Sequence, residues 1–162
     1  MSSRNMLIFW CILFLFAAYL LILGINWMSE PAARPGAIDG RLAPCPDSPN
    51  CVCSQDRDEQ HQIAPLKYTG ATAEARQHLL EVLQQQRGCR IVAQEDDYLR
   101  AEFRSLVFGF VDDVEFLFDP GQNMIQVRSA SRIGHSDLGV NRKRIETIRA
   151  IFSRAAHDTS DQ

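Results

Sequence analysis

A chain of 162 residues that opens on a long apolar run leaves room for one further domain of about 120 residues, enough for a single core. With 46% hydrophobic and 23% charged residues, a net charge of -3 and no internal repeat, it is neither a disordered nor a low-complexity chain. The charge is uneven: residues 45–120 hold 14 acids and 7 bases, whereas residues 128–154 hold seven cations against Asp137 and Glu146. An acidic segment opposing a basic one points to internal pairing before nucleic acid, and the basic stretch lacks the interleaved aromatics of a nucleic-acid groove.

After the short N-terminus, residues 1–5, no charge occurs across residues 6–28, a run that as a helix reaches about 34 Å. Trp10 and Trp27 stand toward its ends as interfacial aromatics do, and Arg4 precedes it. The run is longer than the core of a signal peptide, and the Ser29, Glu30, Pro31 that follow make a poor cleavage site, which favours an uncleaved signal anchor over a cleaved leader. Residues 29–44, rich in Pro, Ala and Gly, read as a tether. At its end stand Cys45, Cys51 and Cys53; Pro46, Pro49 and Asn50 bend the chain so that the Cys45 and Cys51 sulfurs can meet in an oxidising compartment. Leu42, Ala43, Pro44 and Cys45 faintly imitate a lipidation box but stand too far from the apolar run for lipidation.

The run Cys45, Pro46, Asp47, Ser48, Pro49, Asn50, Cys51, Val52, with Ile63, Ala64, Pro65, Leu66 after it and the 128–144 stretch near the end, resembles the family known as domain of unknown function 1499. The resemblance covers about residues 45–154 and implies a bacterial envelope protein with an N-terminal membrane or lipid anchor; it implies no activity. Where this chain has Cys53 the family usually has Ser, so no pairing of Cys53 follows from it.

In the globular part, residues 45–156, Thr72 is placed to cap a helix whose apolar positions Ala75, Leu79, Val82 and Leu83 follow helical spacing to Gly88. Strands are predicted at 90–93, 98–105, 111–118 and 124–130, with a further one at 63–68. Residues 106–110 form an apolar connection around Gly109, and residues 119–123 a strong turn. Keeping the apolar faces together opposes Phe116 to Ile125, Asp113 to Arg128 and Asp112 to Ser129, with Asp113 and Glu115 on a wet face. A final helix over 138–156 buries Ile145, Ile148, Ile151, Phe152 and Ala155, and residues 157–162 form a disordered tail. The fold class is α+β: a transmembrane helix, then a two-layer domain of four to five antiparallel strands and two helices.

Arg142, Lys143 and Arg144 near a helix start oppose the helix dipole, so an anion is expected to compensate them. Arg128, Ser129, Ser131, Arg132, Asn141 and Arg144 together could hold a carboxylate or phosphate. The competing reading pairs these cations with Asp112, Asp113 and Glu115 inside the protein. Catalysis would fall to Asp113 and Glu115 with His135 as proton shuttle, yet a wet face shifts carboxylates little, and no nucleophile elbow, metal-binding histidine pair or phosphate loop occurs. Cys45, Cys51, Cys53 and His61 match no common zinc spacing. Cys89 is read as buried after the first domain helix, Cys11 as membrane-embedded, and Cys53 as unpaired. The expectation is a single-pass protein of the bacterial inner membrane with a periplasmic, non-catalytic domain. Its partners would be the membrane through residues 6–28, an anionic small molecule or lipid headgroup, or another envelope protein, with no cofactor, metal or nucleic acid. The alternative is an envelope hydrolase or transferase acting on a phosphorylated or carboxylated substrate.

Overall fold

The computed structural model describes residues 3–31 and 35–158. Helix α1, Ser3–Trp27, has an apolar surface exposed along nearly its whole length, and it is long and apolar enough to span a membrane or to serve as a signal sequence. Two short strands follow, β1 (Ala37–Ile38) and β2 (Arg41–Leu42), then β3 (Cys51–Cys53), β4 (Leu66–Lys67) and helix α2 (Thr72–Gln84). Strands β5 (Cys89–Gln94), β6 (Tyr98–Arg104), β7 (Val111–Asp119) and β8 (Met124–Ser131) form an antiparallel meander that leads into helix α3 (Val140–Asp158).

The main sheet runs β3-β8-β7-β6-β5, with β4 also pairing along the outer side of β8. Alternation along β6, β7 and β8 sends Leu99, Ala101, Phe103, Val114, Phe116, Phe118, Ile125 and Val127 to one face. There they pack under Leu79, Val82 and Leu83 of α2 and Ile145, Ile148 and Phe152 of α3, forming the main core. The α+β class is as read from the sequence, but eight strands form among the described residues rather than four or five. Strands β1, β2 and β3 are too short to show alternation, and the predicted strand at 63–68 contracts to β4.

Three expectations are corrected by local chemistry. The β7–β8 register is shifted by two residues: Phe116 opposes Val127, Glu115 opposes Arg128, and Asp112 opposes Ser131. The predicted register would close the hairpin with Pro120 and Gly121 alone, a turn that needs positive φ at its first position, where proline is locked negative. The turn instead opens to four residues, with Asn123 taking the left-handed conformation at φ 51°. Thr72 does not cap α2; Ala71 holds that position without a side-chain bond, and the Thr72 hydroxyl pairs with Tyr68 Oη at 2.9 Å. The face expected to be wet is covered, because β1–β2 folds over it: Leu42 packs with Cys53, Tyr98 and Leu117, and Asp113 and Glu115 are buried. Part of the segment read as a tether is therefore folded structure. Of the expected tail, residues 159–162 lie outside the described residues, as does the side chain of Ala155.

The meander gives the sheet two different ends. Strand β6 finishes, β7 begins and β8 finishes at the same end, where α2 also closes and α3 opens. The C-terminal turns of α1 dock there: Asn26 Nδ2 donates to Phe108 O (2.7 Å), Arg132 Nη1 donates to Ser29 O (2.9 Å), and Arg104 lies over the Trp27 ring. We call it the anchor end. At this end Gly88 turns the chain from α2 into β5 with φ +73°, and a Cβ there would stand 2.4 Å from the backbone carbonyl oxygen of Arg104. Gly88→Ala is therefore expected to cost at least about 2 kcal/mol, seen as a lowered thermal midpoint of the full chain in detergent.

Candidate functional site

Strand alternation splits the six residues read as an anion site. Arg128 and Arg132 point to the β1–β2 face; Ser129 and Ser131 point to the helical face, where Asn141 and Arg144 of α3 meet them. On the helical face, Asn141 is fully buried and ties Ser129 Oγ (2.5 Å), Ser131 Oγ (3.0 Å) and the carbonyl of Asn50 (2.9 Å) into one network. Arg144 donates to Asn141 Oδ1 and to Asp112 Oδ2, and its guanidinium covers Phe103 at 4.7 Å. The free amides at the start of α3 are taken from inside the chain: Asp137 accepts from the Gly139 and Asn141 amides at 3.0 and 2.7 Å. That carboxylate supplies the anion which the cations at this helix start call for.

On the β1–β2 face, Glu115 accepts from Arg128 Nη1, Tyr98 Oη and the amide of Gly36, all at 2.8 Å. Asp113 accepts from Arg132 Nε at 2.7 Å and from Arg100, and Arg132 reaches on to Glu102 at 2.5 Å. Hydrogen bonds donated to Asp113, outweighing burial, raise the Arg132 guanidinium further above its usual range. Burial, then the neighbouring Glu115 charge, pushes the Tyr98 hydroxyl well up, so it remains a donor. Both carboxylates are engaged by internal donors, and His135 is exposed in the loop before α3. The Arg128 Nε and Nη2 atoms are buried with no partner among the described residues.

The cysteines settle simply. Cys45 and Cys51 form a disulfide with Cα atoms 5.6 Å apart, while Cys53 is buried beside them as a free thiol that burial pushes up in pKa. Cys89, half-buried, is pushed up to about 11 by burial. Neither carries the thiolate character of a reactive site. Among the described residues, no group of three or more His, Cys, Asp or Glu could hold a metal.

Among the clefts of the described residues, one of about 590 Å³ lies at the anchor end, between the close of α2, the first turns of α3 and the end of β6. Arg87, Arg104, Lys143 and Arg144 line it with Phe103 and Leu106; Asp112 is its single carboxylate and already holds Arg144. The Arg87 and Lys143 side chains have no hydrogen-bond or ion-pair partner among the described residues. Arg144 is thus the one residue of the predicted anion set that lines this cleft. Arg87 and Arg104 went unread because they belong to the acid-rich half, where a charge count hides them; only the return of β6 beside α3 brings them to Lys143.

The structure thus defines a class: an α+β domain behind an apolar helix of membrane-spanning length, with a cation-lined cleft where the two join. The family described as "Protein of unknown function (DUF1499)" matches residues 41–152, most of the chain, and the protein belongs to it. No curated protein and no solved structure matches the chain.

Arg128→Ala would leave Glu115 buried beside two neutral donors, and is expected to cost about 3 to 5 kcal/mol in the same thermal assay. Burial alone would raise the Glu102 carboxyl, but hydrogen bonds and charge from Arg90 and Arg132 outweigh it and hold the group below the usual glutamate range. Its contribution is therefore complete above about pH 5 and is lost as pH falls through the depressed value. The thermal midpoint should drop on acidification below that point, and Glu102→Gln should make the drop shallower.

Proposed function

We propose that this protein is a single-pass component of the bacterial inner membrane, anchored by an uncleaved α1, whose periplasmic domain is a non-catalytic module that holds an anionic lipid headgroup. The disulfide between Cys45 and Cys51 supports an oxidising compartment for the domain. The observation that carries the reading is the anchor-end cleft: Arg87 and Lys143 line one space beside exposed Leu106, with Arg104, held by the Trp27 ring and Gly109 O, at its wall where α1 meets the sheet. A phosphate-bearing headgroup brings negative charge and an acyl tail to that junction, matching a cationic wall with an apolar rim. Catalysis by Asp113, Glu115 and His135 has no comparable support, since both carboxylates are committed to internal donors.

The test is native mass spectrometry of the full chain released from nanodiscs containing phosphatidylcholine and phosphatidylglycerol. Phosphatidylglycerol should be retained preferentially, and Arg87→Gln with Lys143→Gln should remove about 2 kcal/mol, roughly thirtyfold in affinity. Displacement of the lipid by inorganic phosphate would make the ligand a soluble anion instead. Equal retention of the two lipids would end the proposal.

A further inference from the structure

The connection between β6 and β7, residues 105–110, is unusual for a surface loop. Leu106 is 82% exposed, Val107 59%, Phe108 46% and Phe110 42%, four large apolar side chains within five positions. Outside α1 and the Met28 that follows it, the other exposed large apolar residues among those described are Ile38, Ile133, Leu138 and Val140. The last three lie between the end of β8 and the first turn of α3, also at the anchor end. One end of the domain therefore gathers nearly all of its exposed apolar surface, far more than scattered single residues would require.

The loop's carbonyls, all but that of Leu106, are met from inside the chain. Tyr19 Oη donates to Val107 O at 2.8 Å, Asn26 Nδ2 to Phe108 O at 2.7 Å, and Arg104 Nη1 to Gly109 O at 3.2 Å. The Gly109 amide donates to Ser105 O and the Phe110 amide to Ser105 Oγ. A loop in water needs no such partners; in lipid an unpaired carbonyl costs several kcal/mol, so irregular backbone is found there only where its polar groups are met. Two of the donors come from α1, and Asn26, a polar side chain in an otherwise greasy helix, is buried against the loop.

Depth follows from the same bonds. Tyr19 stands eight residues before Trp27, roughly 12 Å along the helix axis, and the loop reaches from beside Trp27 down to it. If Trp27 marks the membrane surface, the tip around Val107 lies below that surface. Gly109, at φ +68°, supplies the left-handed turn by which the loop runs beside Leu23 and Asn26.

We infer that residues 105–110 are a second membrane element, a wedge inserted into the outer lipid layer against α1, which seats the domain on the bilayer with its anchor end down. The partner of this surface is lipid, because the loop continues the apolar face of a helix that itself needs lipid. The inference rests on α1 crossing the membrane, as proposed above, and does not depend on which anion fills the cleft.

The test uses the full chain in phosphatidylcholine nanodiscs with Cys11→Ser as the parent. Leu106→Cys and, at the opposite end of the sheet, Gln122→Cys each carry a bimane fluorophore; both positions are exposed, so neither disturbs the core. At position 106, brominated lipid should quench strongly and aqueous iodide severalfold less than at position 122. Equal iodide quenching at both positions in a protein that resists alkaline carbonate extraction overturns the wedge while leaving the anchor standing. Shielding from iodide without quenching by brominated lipid means that protein covers the loop, and also overturns it. Release of the protein by carbonate removes the anchor and the wedge together.

Discussion

Strand β7 places three carboxylates, Asp112, Asp113 and Glu115, within four positions of a strand buried on both faces, and the architecture follows from finding each a cation. Asp112 takes Arg144 from α3, Asp113 takes Arg132 from beyond β8 and Arg100 from β6, and Glu115 takes Arg128 from β8. A carboxylate left buried and unpaired would cost several kcal/mol, so these elements cannot drift relative to β7 without large loss. What the pairs contribute is arrangement more than stability, since well-packed apolar residues often replace such pairs at no cost. Arg132 extends the arrangement outward, donating to Ser29 O just past α1 and so linking that helix to the centre of the sheet.

Much of this was legible in the residue order. The meander and both domain helices follow from alternation and helical spacing, and the opposition of acidic and basic segments announced internal pairing. The partners were not legible, because strand register decides them. A two-residue difference preserves which face each side chain occupies, so hydrophobic pattern alone cannot detect it; only the incompatibility of Pro120 with a tight hairpin does. That shift moved Arg128 from Asp113 to Glu115. The cover over the second sheet face was invisible for another reason: β1 and β2 are two residues each, and a Pro, Ala and Gly composition gives no sign that Leu42 will be buried.

The cation cluster showed a related limit. Of its seven members, Arg128, Arg132, Arg142, Arg144 and Arg149 are bound by internal acceptors, the third and fifth by carbonyls of residues 60–65 that they fasten to α3. A linear density of charge therefore overstated the site, while Lys143, one member without an internal partner among the described residues, turned out to face the cleft. Its neighbours there, Arg87 and Arg104, arrive from the acid-rich half through the fold alone.

A net charge of -3 would seem to oppose settling on an anionic surface, and the layout of the domain answers this. Glu95, Asp96 and Asp97 occupy the β5–β6 turn and Asp119 closes β7, all at the end of the sheet opposite the anchor. The nine residues of β7 separate the two ends by about 30 Å, nearly four times the screening length of about 8 Å at physiological ionic strength. On the proposed function, a headgroup at this end meets Arg87 and Lys143, and the distant acids are screened from it. On the proposed function the same separation gives the domain a direction: anionic lipid would attract one end and repel the other, so electrostatics and the apolar loop would favour a single orientation on a bilayer.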